Sequence, residues 1–114
     1  MNAQASIQVK ADSVKVLECA YETLLSMREP KNVSEELNRI DRKLLFASVV
    51  GKFKPTERIT QKFICIITIE IINNSTCRLT LVADESFGTT GACTASSYVL
   101  ISDFFEQLSR NLNL

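Results

Sequence analysis

The chain has no histidine. That absence removes Ser-His-Asp and Cys-His nucleophilic catalysis, because both use an imidazole to take the nucleophile's proton near neutral pH. It also removes the His-Glu-x-x-His zinc enzymes and every zinc site with a histidine ligand. Carboxylate, lysine or lone-thiolate chemistry is left, and no spacing of those residues marks out a catalytic set. An excess of charge is missing too. Thirteen Lys and Arg balance thirteen Asp and Glu, so bulk charge directs the chain to neither nucleic acid nor a membrane surface. No apolar run approaches the ~20 residues of a membrane-spanning helix.

The four cysteines, at 19, 65, 77 and 93, contain no C-x-x-C pair, which argues against a zinc or redox site. Gly88-Thr89-Thr90-Gly91 stands before a helical pattern, as phosphate loops do. No Lys-Ser/Thr follows its second glycine, and the G-x-G-x-x-G spacing of dinucleotide sites is missing. The 83–101 segment therefore reads as a connector ending in a helix cap, with no cofactor implied. Asn32-Val33-Ser34, Asn73-Asn74-Ser75 and Asn74-Ser75-Thr76 match the glycosylation triplet, which has meaning only in a eukaryotic secretory pathway.

What is present fits one domain. The chain has 114 residues, 46% of them hydrophobic, enough to bury one core without disulfides or metal. Ile7 and Val9 alternate with Ser6, Gln8 and Lys10, a short strand. Asp12-Ser13 then caps a helix over 13–28, with Val14, Leu17, Tyr21, Leu24 and Leu25 at helical spacing and Pro30 discouraging continuation. Residues 33–41 have two readings. Val33, Leu37, Ile40 and Leu44 match a helix that Asn32 and Glu35 would box. The branched and aromatic LLFASVVGKF favours a hairpin turning near Asp41-Arg42-Lys43. The hairpin is preferred, followed by a polar connection over 54–61.

Residues 62–84 carry the clearest pattern. Phe63, Cys65, Ile67, Ile69 and Ile71 share one face of a strand, and Cys77, Leu79, Leu81 and Ala83 share one face of the next. Both sets are odd-numbered, so opposed residues must sum to an even number if both are to face one core. A three-residue Asn73-Asn74-Ser75 loop, with asparagine taking the left-handed conformation, pairs Ile71 with Cys77, Ile69 with Leu79, Ile67 with Leu81 and Cys65 with Ala83. On the other face Thr68 meets Thr80 and Glu70 meets Arg78. Cys65 then lies about 20 Å from Cys77, too far for a disulfide. The even face of the first strand, Ile64, Ile66, Thr68, Glu70 and Ile72, is half apolar, and its Phe63 end invites a cover. Ile101, Phe104, Phe105, Leu108 and Leu112 form a closing amphipathic helix over 97–112, capped by Ser96 or Ser97, with Glu106 and Arg110 paired at i,i+4. The fold class is α+β: an antiparallel sheet of about five strands packed by an N-terminal helix (13–28) and a C-terminal helix (97–112), in the order β-α-β-β-β-β-α.

The acidic neighbours Glu35-Glu36 and Asp84-Glu85 point different ways on a strand and make no acid/base dyad. Charge is uneven along the chain: from Arg28 to Lys62 there are nine Lys/Arg against five Asp/Glu, and residues 63–114 carry two against five. Such a split marks a solvated polar face or, less commonly, an anion-binding surface.

The start, MNAQASIQV, is no signal peptide, but Ala3-Gln4-Ala5 fits the small-x-small pattern at the end of one. Residues 1–5 thus read as a tail or junction remnant before a single domain over 6–114. The start near NAQAS, the strand and long helix, the hairpin into KLLFASVVGKF with Val50-Gly51, the strands KFICIITIEI and CRLTLVAD, and the closing helix together resemble the small TATA-binding-protein-like domains of unknown function in exported Bacteroidetes proteins. The cysteine content and the Gly-Thr-rich loop depart from that pattern. The resemblance implies an exported, non-catalytic module; it does not imply DNA binding, and no basic, aromatic stripe is visible on the strands.

Three functional expectations result. The first is a non-catalytic binding or structural module of the bacterial cell envelope, periplasmic or on the cell surface, with an unknown protein or envelope partner and no integral membrane segment. A cytoplasmic start would remove it. The second is a carrier of small apolar ligands, with Ile64, Ile66, Val82, Phe87 and Tyr98 lining a cavity between the curved sheet and the C-terminal helix. The third is a small enzyme built on Cys93 or carboxylates.

Overall fold

A computed structural model of the chain describes residues 2–29, 38–56, 59–85 and 95–113. Strand β1 (Asn2–Val9) leads into helix α1 (Ser13–Met27). The strands β2 (Arg39–Asp41), β3 (Phe46–Thr56), β4 (Ile59–Asn73) and β5 (Thr76–Glu85) follow, and helix α2 (Ala95–Asn111) closes the chain. The strands make one antiparallel sheet in the order β1-β5-β4-β3-β2. The α+β class and the β-α-β-β-β-β-α order are those read from the sequence.

Parity organises this sheet. In β4 the odd residues Phe63, Cys65, Ile67 and Ile69 are buried, and in β5 Cys77, Leu79, Leu81, Ala83 and Glu85 are. The register pairs Ile71 with Cys77, Ile69 with Leu79, Ile67 with Leu81 and Cys65 with Ala83, as the parity argument requires. β3 adds Ala47, Val49 and Phe53 to the same face, and β1 adds Ala3 and Val9. Phe53 and Phe63 meet edge to face, centroids 6.1 Å apart, a favoured aromatic geometry. Both helices pack on this odd face: Val16, Leu17, Ala20 and Leu24 of α1 and Leu100, Ile101, Phe104 and Leu108 of α2 belong to one core with the strands. α1 starts where Asp12, extended at φ −61° and ψ 131°, accepts the Lys15 amide on its carboxylate (3.1 Å), a standard N-cap. Its buried stripe is broader than the spacing of leucines suggested. Val16, Ala20 and Thr23 sit at its centre while Tyr21 and Leu25 are half-buried, because the helix touches both the sheet and α2.

Several expectations are corrected. The first strand begins at Asn2 rather than Ser6, so residues 2–5 are no tail: Ala3 opposes Ala83 and Ala5 opposes Leu81. Small residues there have a packing reason, since Ala3 is buried and Ala5 lies against the core. The preferred hairpin near Asp41-Arg42-Lys43 is present and needs no correction: residues 39–41 are strand, paired to β3, and positions 30–37 lie outside the described residues. Asp41 Oδ1 accepts the amides of Lys43 (3.0 Å) and Leu44 (2.9 Å), and Leu45 takes the left-handed conformation (φ 54°). That local chemistry turns the chain back into β3. The polar 54–61 connection is mostly strand, since β3 runs to Thr56 and β4 starts at Ile59, paired to it.

The 73–75 loop is tighter than expected. Asn73 pairs with Thr76, leaving Asn74-Ser75 as the turn, and the register shifts between Ile71 and Asn73. The bulge restores the even sum that a two-residue turn alone would break. Asn73 Oδ1 accepts the Ser75 amide at 3.0 Å, and no asparagine of this turn takes a positive φ. α2 begins at Ala95, so positions 96 and 97 are inside the helix rather than its cap.

Candidate interaction surface

The register that sends odd residues of the four long strands into the core lines up their even residues, with Arg39 and Asp41 of β2, in rows across the other face. One row runs Asp41–Phe46–Thr68–Thr80–Ser6, the next Arg39–Ser48–Ile66–Val82–Gln4, and a third Val50–Ile64–Asp84–Asn2. Among the described residues no helix or strand covers this face. Its centre is apolar: Ile64, Ile66 and Val82, flanked by Phe46 and Val50. Exposure falls along it toward the Phe63 end. Ile72 is 40% exposed and Glu70 and Thr68 are exposed, Ile66 and Ile64 are half-buried, and Val50 is 9% exposed.

The border is polar and carries both signs of charge, with Arg39 beside Asp41 at 3.5 Å. The Arg39 guanidinium lies 5.8 Å from the centre of the Phe46 ring, within cation–π range. Lys52 and Lys62 oppose each other across β3 and β4. Asp84 brings the carboxylate at this end of the face. Toward the hairpin tip the neutral Ser6–Thr80 hydroxyl bond (2.7 Å) and the Glu70–Arg78 ion pair (3.4 Å) complete the face. Both pairs in the second strand's register, Thr68–Thr80 and Glu70–Arg78, are the expected ones. An exposed ion pair of this kind contributes at most about 1 kcal/mol.

Of the five residues read as cavity lining, the structure brings three together. Ile64, Ile66 and Val82 are neighbours on the even face. Tyr98, 59% exposed on α2, belongs to the other side of the sheet, and Phe87 lies outside the described residues. A space between sheet and C-terminal helix would be bounded by odd residues, and there Phe53, Phe63, Ile67, Leu79, Leu81 and Phe104 are fully buried. The even trio cannot line it. Two described depressions lie elsewhere. One of about 370 Å³ separates α1 from the β2 hairpin, bordered by Lys15, Cys19, Tyr21 and Ile40 and by the Arg42–Glu18 ion pair (3.1 Å). The other, about 250 Å³, lies between Asp12 and the Ile71–Cys77 end of the β4–β5 hairpin.

Chemistry-bearing residues are otherwise dispersed. Cys19, Cys65 and Cys77 are free thiols. Burial raises the thiol pKa of all three, most for the fully enclosed Cys65. For Cys19 a hydrogen bond with Thr23 and the nearby Lys15 charge oppose that rise, and for Cys77 the Asp12 charge adds to it. Cys93, Glu35-Glu36 and the 88–94 loop lie outside the described residues. Asp84 and Glu85 diverge as expected, Asp84 to the even face and Glu85 inward. The Asp41 carboxyl sits below the usual range, chiefly through the Leu44 amide, with Lys43 and Arg39 adding to it against some loss of solvent.

Sequence reasoning missed three polar features. Glu85, 8% exposed, accepts the buried Ser97 hydroxyl at 2.7 Å. Thr23 donates to Cys19 O (2.7 Å) and accepts from the Asn111 amide (2.9 Å), tying the two helices together. Arg28 lays its stem where a Cβ on Gly51 would be 3.2 Å away, and its Nη1 is buried without a hydrogen-bond partner among the described residues. Only the glycine could have hinted at the last of these. No family model, curated protein or solved structure matches the chain.

Proposed function

We propose that the protein is a non-catalytic binding or structural module, and that the even-numbered face of its sheet receives a protein partner. One observation carries this reading: the two sheet faces differ in kind. The odd face is filled by both helices around fully buried aromatic and aliphatic side chains. The even face holds Ile64, Ile66, Val82 and Phe46 with no described helix or strand over them. Apolar side chains grouped on an accessible surface with a polar rim mark interaction sites more often than isolated ones do. The margin carries both signs of charge, with Arg39 paired to Asp41 and Arg78 to Glu70, so the partner that fits offers an apolar patch to Ile64, Ile66 and Val82. A cell-envelope setting is the one implied by the resemblance to exported TATA-binding-protein-like domains.

A photo-crosslinking amino acid placed at Ile66 tests the reading in the native cells. Discrete adducts from position 66, and none from the exposed Tyr98 position on the far side, are expected. Equal yields from both positions, or none from 66, would refute it. Cell fractionation of the full-length native protein tests the setting separately.

A further inference from the structure

We propose that β1 is a self-association edge: two copies join antiparallel, β1 to β1, and extend the five-stranded sheet across a two-fold axis. The two edges of the sheet are built differently. At the β2 edge the strand has only three residues, and the chain closes the outer side of β3 beyond it. Asn38 Oδ1 takes the Val50 amide (3.0 Å), the Glu29 amide donates to Lys52 O (2.7 Å), and Arg28 bridges to Phe53. Little backbone is left there for a new strand.

At the other edge β1 presents eight residues in unbroken register with β5, from Asn2–Asp84 to Val9–Cys77. In an antiparallel pair alternate residues turn their N–H and C=O groups away from the partner, so about half of β1 offers backbone groups outward. Among the described residues, no backbone hydrogen bond outside the sheet ladder reaches them. Natural edges are blunted by lysine, proline, a bulge or an inward charge. NAQASIQV has none of these.

The occupant that fits is a second copy, because β1 is complementary to itself. No residue from Asn2 to Val9 is ionisable, so self-pairing opposes no like charges. The even side carries Gln4, Ser6 and Gln8, whose amides and hydroxyl each both donate and accept. Such a row matches its own reverse. The odd side carries Ala3, Ala5, Ile7 and Val9, small or β-branched residues that pack across a two-fold without collision. Any even-sum register keeps the inward set inward in both copies. Ala5 and Ile7 pack on the core yet remain half-buried, and a neighbouring strand would cover them. The contact is isologous and closes on itself, giving a dimer and not a fibre. It uses the edge and leaves the even face open, so it stands or falls apart from the reading of that face.

Sedimentation equilibrium of the full chain over a concentration series is the test. The wild type should move from one chain mass to two as concentration rises. Gln4→Lys/Gln8→Lys, at two exposed positions, should keep the native circular dichroism and weaken self-association about tenfold or more, since cross-strand like charges repel. Gln4→Glu/Gln8→Glu should behave the same way alone. Mixing the two variants should restore a mixed dimer. A wild type that is monomeric throughout would overturn the proposal. So would lysine variants that dimerise unchanged, or folded variants that fail to pair on mixing.

Discussion

Ile66 and Ile67 are adjacent in β4 and point to opposite faces, so alanine at each position measures the difference between those faces. Ile67 is fully buried between Ala47 of β3 and Leu81 of β5. Its truncation removes apolar contacts and leaves a void that a central strand cannot close. Such changes cost 2–5 kcal/mol, and the enclosed setting places this one at about 4. Ile66 is half-buried, opposite Ser48 and Val82. Full burial of an isoleucine side chain contributes about 1.5–3 kcal/mol, so truncating a half-covered one loses about 1, and water fills the space without a cavity term. For a domain of this size 1 kcal/mol corresponds to ~4–5 °C, so the two variants should lose about 15–20 °C and 5 °C. Urea unfolding followed by circular dichroism gives both free energies, and unchanged slopes validate the comparison. An Ile66→Ala cost equal to that of Ile67→Ala would mean that the even face is packed, and the reading of it as a binding surface would fail.

Four further outcomes are expected. Native-state alkylation at mildly alkaline pH should modify the half-buried Cys19 well before Cys65, and Cys65 should react only as fast as the whole protein unfolds. Cys65 also sets a pH dependence. Its thiol pKa is raised by burial, so above the ordinary thiol value of about 8.5 the unfolded chain loses a proton that the folded one retains. Its contribution is complete below that pH, and stability falls by about 1.4 kcal/mol per unit above it, a slope that Cys65→Val should remove from denaturation curves measured between neutral and alkaline pH. Ser97→Ala leaves Glu85 without its buried hydroxyl donor and should cost about 1.5–3 kcal/mol, read by thermal unfolding. Asp41 should titrate below about 3.9 by NMR, so its favourable bonds to the turn are present above that pH and lost as pH falls through its depressed folded value.

Much of the architecture was legible because a period of two leaves little freedom when one face must be buried. Once Phe63 to Ile71 and Cys77 to Ala83 were assigned a common face, the pairing of Ile67 with Leu81 followed, and with it the Thr68–Thr80 and Glu70–Arg78 pairs. α1 and α2 were visible for the parallel reason at helical spacing. Where the reading went astray, local polar chemistry or a neighbour decided the outcome. Ala3 and Ala5 have little hydrophobic signal, and only β5 beside them makes a strand of Asn2–Val9. Thr23 and Ser97 look like surface hydroxyls until Asn111 and Glu85 are found within reach. The trio Ile64, Ile66 and Val82 shares the even face, while Tyr98 lies on α2 on the other side of the sheet. Apolar content alone does not say whether a half-covered side chain faces a cavity or a partner.

The extra residue at Ile72 has a consequence for how this hairpin tolerates change. Because the kink before Asn73 flips the count once and the short turn flips it again, two local irregularities cancel. A deletion that removes Ile72 and also lengthens the reversal by one position would leave every pair upstream intact. Removing one position from the tip alone would invert β5 relative to β4, driving Arg78, Thr80 and Val82 beneath the helices. Length at the tip is thus coupled to straightness in the strand before it, and the two can drift only together.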